Sequence, residues 1–282
     1  MQIVVKIGII NVMYLAIDIG GTKTLLATFN NDGKLLQSIR FETPHFYPEF
    51  IDAVRETFKK LDDVHGLRQC VVGAPGKINR DDGIVIAFGN LPWENVHLQQ
   101  DIGAVVEVPV TVENDANLAG LSEAVLIKHA YNKVLYVTIS TGIGGIIVVD
   151  GVIDPEYADM EFGHMMFEHD DKLMAWEEFA SGRAIYAKYG LKASEIEDPG
   201  IWYAISRNIA LGLTNVVVNL TPEVIIIGGG VGTHFDKFAD RLHEEMMLYG
   251  SKLVSIPPIR KAIRAEEAVL YGCYELARQI KD

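Results

Sequence analysis

Cysteine is scarce in this chain: Cys70 and Cys273 are its only two. Two thiols some 200 positions apart exclude the disulfide framework that staples small secreted domains, and they read as reduced core thiols of a cytoplasmic protein. Basic residues are also in deficit, with 25 Lys and Arg against 38 Asp and Glu and a formal net charge of -13. Nucleic acid and anionic membranes attract clustered Lys and Arg, so neither is an expected partner. No stretch reaches the roughly 18 continuous apolar residues of a membrane span. The apolar opening "MQIVVKIGIINV" is interrupted by Lys6, has no basic start and shows no small-residue cleavage site, which argues against a signal peptide. It reads instead as an added edge strand or an upstream start, with Met13 an alternative initiator.

What the chain does have is core-forming material and glycine. With 282 residues and 49% hydrophobic content it can bury one large core or two ordinary ones, and the length favours two domains. The segments "MYLAIDI", "KTLLATF" and "KLLQSIRFE" predict a three-stranded meander, separated by Gly21 and the "NNDG" turn. A helix from about Glu49 to Asp63 follows, then a buried strand "RQCVVGA", a Gly-Pro-rich turn "PGKINRDDG" and a strand "VPVTVEN". A helix runs from Asn114 to about Ile127, ahead of the strands "KVLYVTIS" and "GGIIVVD". The mostly apolar "IWYAISRNIALGLTNVVVNL" predicts a long helix in a second core, and a last helix spans Glu266 to Lys281. The expected division is a small α/β domain over residues 1–112, joined by the C-terminal helix 266–282, and a large α/β domain over 113–265.

The turn in "AIDIGGTKTLLATF" is not a P-loop, because Lys23 follows Thr22 and Ile17 stands where the first Gly belongs. Nor is it a dinucleotide loop, since Gly20 and Gly21 are adjacent and an apolar strand follows. A matching strand, Gly turn, strand unit recurs with Gly142 aligned on Gly20, which suggests a duplicated architecture with two turns facing each other across a cleft. A third Gly turn, "IIIGGGVGTHF", leaves a strand for a helix, where backbone N–H groups can meet an anion. Glycine's freedom at φ > 0 and its missing Cβ make all three candidate phosphate or adenosine contacts.

Asp18, at a strand end beside the first turn, suits a magnesium ion held through water, or else stabilises the turn. Asn114 and Asp115 lie where a strand gives way to a helix, so Asp115 is either a helix cap or a general base aimed at a substrate hydroxyl. Glu161 and His164, three apart, with Glu177 further on, offer hydrogen-bond partners for a polyol. They could be half a metal site, but no second close pair completes one.

Eight segments, "DIGGTKT", "GAPGKIN", "NLPWENVHL", "VENDANLAGLSEA", "STGIGG", "MEFGHM", "EEFASGRAI" and "IIIGGGVG", span nearly the whole chain. In that order they resemble the ROK family of sugar kinases, within the hexokinase, actin and Hsp70 superfamily. The resemblance implies a two-domain, actin-like ATPase (ribonuclease H-like) α/β fold and an ATP- and Mg²⁺-dependent kinase of hexoses or amino sugars, working as a homodimer. It implies Asp115 as catalytic base and Gly76, Asn90, Asn114, Glu161, His164 and Glu177 as sugar contacts. Gly20, Gly21, Thr22, Lys23, Thr141 and Gly142 fall on the phosphate loops, and Gly229 and Gly230 on the adenosine loop. Many members carry a Cys-rich zinc site before the Ala-Ser-Gly segment, but here that stretch reads "MMFEHDDKLMAWEEFASG", so no structural zinc is expected and packing through Trp176 must brace the wall. Family repressors add a DNA-binding domain before the first turn, whereas only 17 residues precede Asp18, which favours the kinase. Glucose is the first expected substrate, phosphorylated at its 6-hydroxyl, with N-acetylmannosamine, N-acetylglucosamine and fructose as alternatives.

Overall fold

The computed structural model describes residues 12–62, 64–250, 254–264 and 267–280. The expected edge strand or upstream start at the N-terminus lies almost wholly outside the described residues. The chain divides into two compact units, Met1–Leu118 with Val269–Asp282, and Ala119–Ala268.

The first unit opens with the meander β1 (Met13–Ile19), β2 (Lys23–Asn30) and β3 (Leu35–Glu42). It continues through α1 (Tyr47–Phe58), β4 (Leu67–Ala74), β5 (Gly76–Asn79), β6 (Ile84–Phe88), β7 (Glu94–Val96), α2 (Leu98–Val106) and β8 (Val110–Asn114), and α3 (Asp115–Ile127) starts in it and passes into the second unit at Ala119. Its main sheet has the order β3-β2-β1-β4-β8. Strand alternation explains its two cores. Leu15, Ile17 and Ile19 of β1 join Phe50 and Val54 of α1 and Leu98 and Ile102 of α2. Tyr14 and Ala16, pointing the other way, pack with Leu118 of α3 and with Leu270, Cys273 and Tyr274 near the C-terminus. A sheet covered on both faces needs apolar residues at consecutive positions, which is why "CVVGA" is buried throughout.

The segment expected to be a Gly-Pro turn is itself a hairpin. β5 pairs with β6 from Gly76↔Phe88 to Asn79↔Ile84, and β7 completes a three-stranded sheet. Glycine and proline marked the edges of that strand, and the strand's own four residues were too short to show a period.

The second unit contains β9 (Lys133–Ile139), β10 (Ile143–Val149), β11 (Val152–Ile153), β12 (Met166–His169), β13 (Lys172–Ala175), α4 (Trp176–Ala180) and α5 (Gly182–Tyr189). Then come α6 (Pro199–Leu220), β14 (Val224–Gly228), α7 (Gly229–Gly232), α8 (Ala239–Tyr249) and β15 (Ile259–Lys261), before α9 (Ala268–Gln279) enters the first unit. The main sheet has the order β11-β10-β9-β14-β15. It repeats the first sheet strand for strand: an antiparallel hairpin, then two parallel strands on the other side of its first strand. The duplication suggested by the two Gly turns is a duplication of topology.

α6 is long and apolar enough to cross a membrane by length and composition. Trp202, Ile205, Ile209, Leu213 and Val216, three or four apart, all lie in the second unit's core, so its apolar face is used within the protein. Asp198 caps it by accepting from Gly200 N at 2.7 Å, and Pro199 suits its first turn.

Candidate active site

The alternation that sends Ile17 and Ile19 to one core places Asp18 on the opposite face of β1, the side that α3 and α9 cover. Asp18 is partly buried there. Burial first, and then the negative charge of Asp115, push its pKa up to about 7. The buried Cys273 thiol is raised by burial and by the same Asp18 charge.

Asp115 is the first residue of α3, and Asn114 supplies the helix cap. The Asn114 Oδ1 accepts from Ala116 N at 2.9 Å and from Asn117 N at 3.3 Å. Its Nδ2 donates to Gly76 O at 3.2 Å, so the β5 segment is tied to the start of α3. Ala116 N also donates to Asp115 Oδ1 at 2.8 Å, which sets the carboxyl's direction. Gly76 is needed because a Cβ there would lie 2.0 Å from Ala87 O.

The β1–β2 turn closes through Gly20 N to Lys23 O at 3.0 Å. Thr43 braces it, donating its N to Thr22 O at 3.0 Å and its Oγ1 to Gly20 O at 2.8 Å. Neither Gly20 nor Gly21 is among the positive-φ residues, so left-handed backbone is not what selects them. Close approach is: a Cβ on Gly21 would lie 2.8 Å from Cβ of Asn90. Thr22 and Lys23 stand exposed at the tip. The first unit thus brings together Asp18, Gly20, Gly21, Thr22, Lys23, Gly76, Asn90, Asn114 and Asp115.

The remaining candidates are in the second unit. The β9–β10 turn closes through Ser140 N to Gly142 O at 2.9 Å and receives Gly182 N on Ser140 O at 2.6 Å. Glu177 underpins it: Oε2 accepts from Ile143 N at 3.2 Å, and Oε1 pairs with Arg183 at 3.2 Å. A Cβ at Gly142 would sit 2.6 Å from that Oε2, and one at Gly163 3.1 Å from it, so Glu177 joins the Thr141–Gly142 turn to the 3-10 turn Phe162–His164. Glu161 and His164 themselves are exposed, with 3.6 Å between carboxylate and imidazole.

Gly229 has φ +78°, and a Cβ there would lie 2.6 Å from Ile139 O, which explains the glycine. The helix it begins, α7, is only four residues long, so it offers no extended N-terminus for an anion. Gly230 instead helps line a cavity of about 500 Å³ with Thr141, Arg183, Tyr186, Lys192 and His234. Its charged walls are cationic, unusual in so acidic a chain. Burial, then Lys237 and Lys261, hold the pKa of His234 below its usual value.

Where the resemblance placed a zinc site, β12 and β13 form a hairpin. Trp176, fully buried, donates Nε1 to Asn208 O at 3.0 Å, and Asn208 Nδ2 donates to Phe179 O at 2.9 Å. His169 of the hairpin stacks on Phe179 with 4.2 Å between ring centres. Among the described residues, no group of three or more His, Cys, Asp or Glu could hold a metal by itself. Magnesium asks for less, one or two carboxylates completed by water and phosphate oxygens, and the adjacent Asp18 and Asp115 fit that requirement.

Sequence reasoning missed Thr43, Arg183 and a partly buried pair of Arg80 with Glu113. Only Glu113 left a trace, as an acid in a strand that is otherwise core.

Two five-stranded α/β sheets of one topology, each opening on a Gly turn between its first two strands, define the class of actin-like ATPases. A family model described as the ROK family matches residues 14–280, and the chain belongs to that family. It is 29% identical to the N-acetyl-D-glucosamine kinase of Histophilus somni (strain 129Pt), over 89% of this chain and 94% of the relative. It is 26% identical to the glucokinase of Streptomyces coelicolor, over 94% and 97%. Among solved structures, the ROK family glucokinase from Streptomyces griseus, in complex with glucose and AMPPNP, superposes with a TM-score of 0.80, covering 95% of this chain and all of that one at 23% identity.

Proposed function

We propose that this ATP-dependent sugar kinase of the ROK family phosphorylates a hexose at its 6-hydroxyl, with glucose as the first substrate. The observation that carries the reading is the β8–α3 junction. Asn114 takes the cap, so Asp115 is held at the helix start beside Asp18 and tied, through Asn114, to Gly76. A carboxylate fixed in direction is what deprotonating an attacking hydroxyl requires.

Phosphoryl transfer depends mostly on alignment and on neutralising phosphate charge. Asp115 accepts the proton of the sugar hydroxyl, while Asn114, Gly76, Asn90, Glu161, His164 and Glu177 hold the ring. The turns at Gly20–Lys23 and Thr141–Gly142 offer backbone N–H groups to the phosphates. The adenosine belongs in the cavity beside Gly229 and Gly230, whose walls carry Arg183 and Lys192. Bound Mg²⁺ would supply further charge neutralisation at the transferred group, with Asp18 holding it through water.

A second substrate, N-acetylglucosamine, is favoured by the 29% identical relative of that name. ADP release measured over glucose, N-acetylglucosamine, N-acetylmannosamine and fructose decides between them. Turnover fastest with glucose is expected; silence with every sugar overturns the kinase reading.

A further inference from the structure

Glu113 is a buried acid that the proposed chemistry does not use, its side chain 7% exposed. It stands at the end of β8, directly before Asn114 and Asp115. Its Oε1 accepts from Asn114 N at 2.7 Å, from Asn117 Nδ2 at 3.0 Å and from Arg80 Nη2 at 2.6 Å. Its Oε2 accepts from Arg80 Nε at 2.9 Å. The guanidinium thus meets the carboxylate as a two-pronged fork, and the same carboxylate grips the backbone and first turn of α3. Arg80 comes from the β5–β6 turn, on the hairpin whose first residue, Gly76, receives Asn114 Nδ2.

An ion pair with one partner buried is weak evidence for stability, because desolvation offsets much of the attraction. Here its geometry does something else: two independent ties, Arg80 to Glu113 and Asn114 to Gly76, fix one hairpin to the residue pair at the start of α3.

We propose that Arg80 and Glu113 are positioning residues for the transfer, aiming the Asp115 carboxyl and the Asn114 amide at the sugar hydroxyls. This rests on the reading of Asp115 as base. Arg80 acts through Glu113. Lysine at this position keeps the compensating charge, so the protein folds, but cannot reproduce the planar fork.

The test is steady-state kinetics with glucose and MgATP on Arg80→Lys, Asp115→Asn and the double variant. Arg80→Lys should lower kcat by about 10- to 100-fold, the scale of a misplaced catalytic group, with KM for ATP unchanged. Added to Asp115→Asn it should cost no further kcat, because there is no base left to aim, while any effect through Asn114 shows in KM for the sugar. In Arg80→Ala, guanidinium ion at millimolar concentration should restore part of kcat. Wild-type kcat in Arg80→Lys, or its full loss repeated on top of Asp115→Asn, would overturn the inference. Normal turnover in Asp115→Asn alone, where Arg80 is intact, would instead remove the base reading and this inference with it.

Discussion

Replacing Asp18 with asparagine should stabilise the ligand-free protein above neutral pH, by less and less as pH falls toward 3.8, and not at all below that. The side chain sits at the end of a core strand, and burial together with Asp115 lifts its pKa from 3.8 to about 7. A carboxyl raised in the folded state binds its proton more tightly there than in the unfolded chain. Stability therefore falls as pH rises from 3.8 to 7, and the full cost stands above that window. At 1.36 kcal/mol per pH unit the ceiling is about 4 kcal/mol. Water reaching a partly buried carboxylate takes up about half of it, leaving ~2 kcal/mol. Asparagine keeps the shape and carries no charge, so it recovers that amount, which for a chain of this size raises Tm by about 4 to 8 °C at pH 8.5. Thermal unfolding of both proteins at pH 4.5, 7 and 8.5 is the assay, and 10 mM MgCl₂ should shrink the difference at pH 8.5 if Asp18 tends the metal. An Asp18→Asn protein no more stable than wild type at pH 8.5, or equally stabilised at pH 4.5, refutes the reasoning.

Two further outcomes follow from close contacts in the second unit. Gly212→Ala, on α6, puts a Cβ 2.0 Å from the fully buried Trp176 ring. Overpacking of about 1–3 kcal/mol outweighs the ~1 kcal/mol helix preference for alanine, so urea denaturation should give a lower midpoint. Glu177→Ala removes the acceptor of Ile143 N and the partner of Arg183. KM should rise for both sugar and ATP, since one carboxylate braces the Thr141–Gly142 turn and faces the Phe162–His164 turn; a rise for sugar alone would mean the turn holds without it.

Much of the fold was legible because its strands end on unmistakable punctuation. "MYLAIDI" and "KVLYVTIS" are apolar runs closed by Gly turns, and β1 and β9 match them to within a residue. α2 went unread because its nine residues carry a mid-helix Gly103 and give too little length for a period. The β12–β13 hairpin went unread because "MFEHDDKLMA" gathers its polar residues into one central block with no alternation, and has no glycine at its turn, where Asp170 and Asp171 take positive φ instead. Positive φ applies at Gly229, whereas Gly20, Gly21 and Gly142 are required by what approaches them. Residues at strand ends, such as Asp18 and Asn114, could be singled out from local context. The groups that orient them could not, because Arg80 is 33 positions from Glu113 and Ile143 is 34 from Glu177. Such bonds leave no spacing to read.

The whole proposed transfer turns on one role, that of Asp115 as the base for the sugar hydroxyl. It is tested most directly by measuring sugar binding and turnover side by side in Asp115→Asn. The account predicts that calorimetric affinity for the sugar stays within a few-fold of wild type while kcat falls by about three orders of magnitude or more. Near-normal turnover with unchanged binding would contradict it.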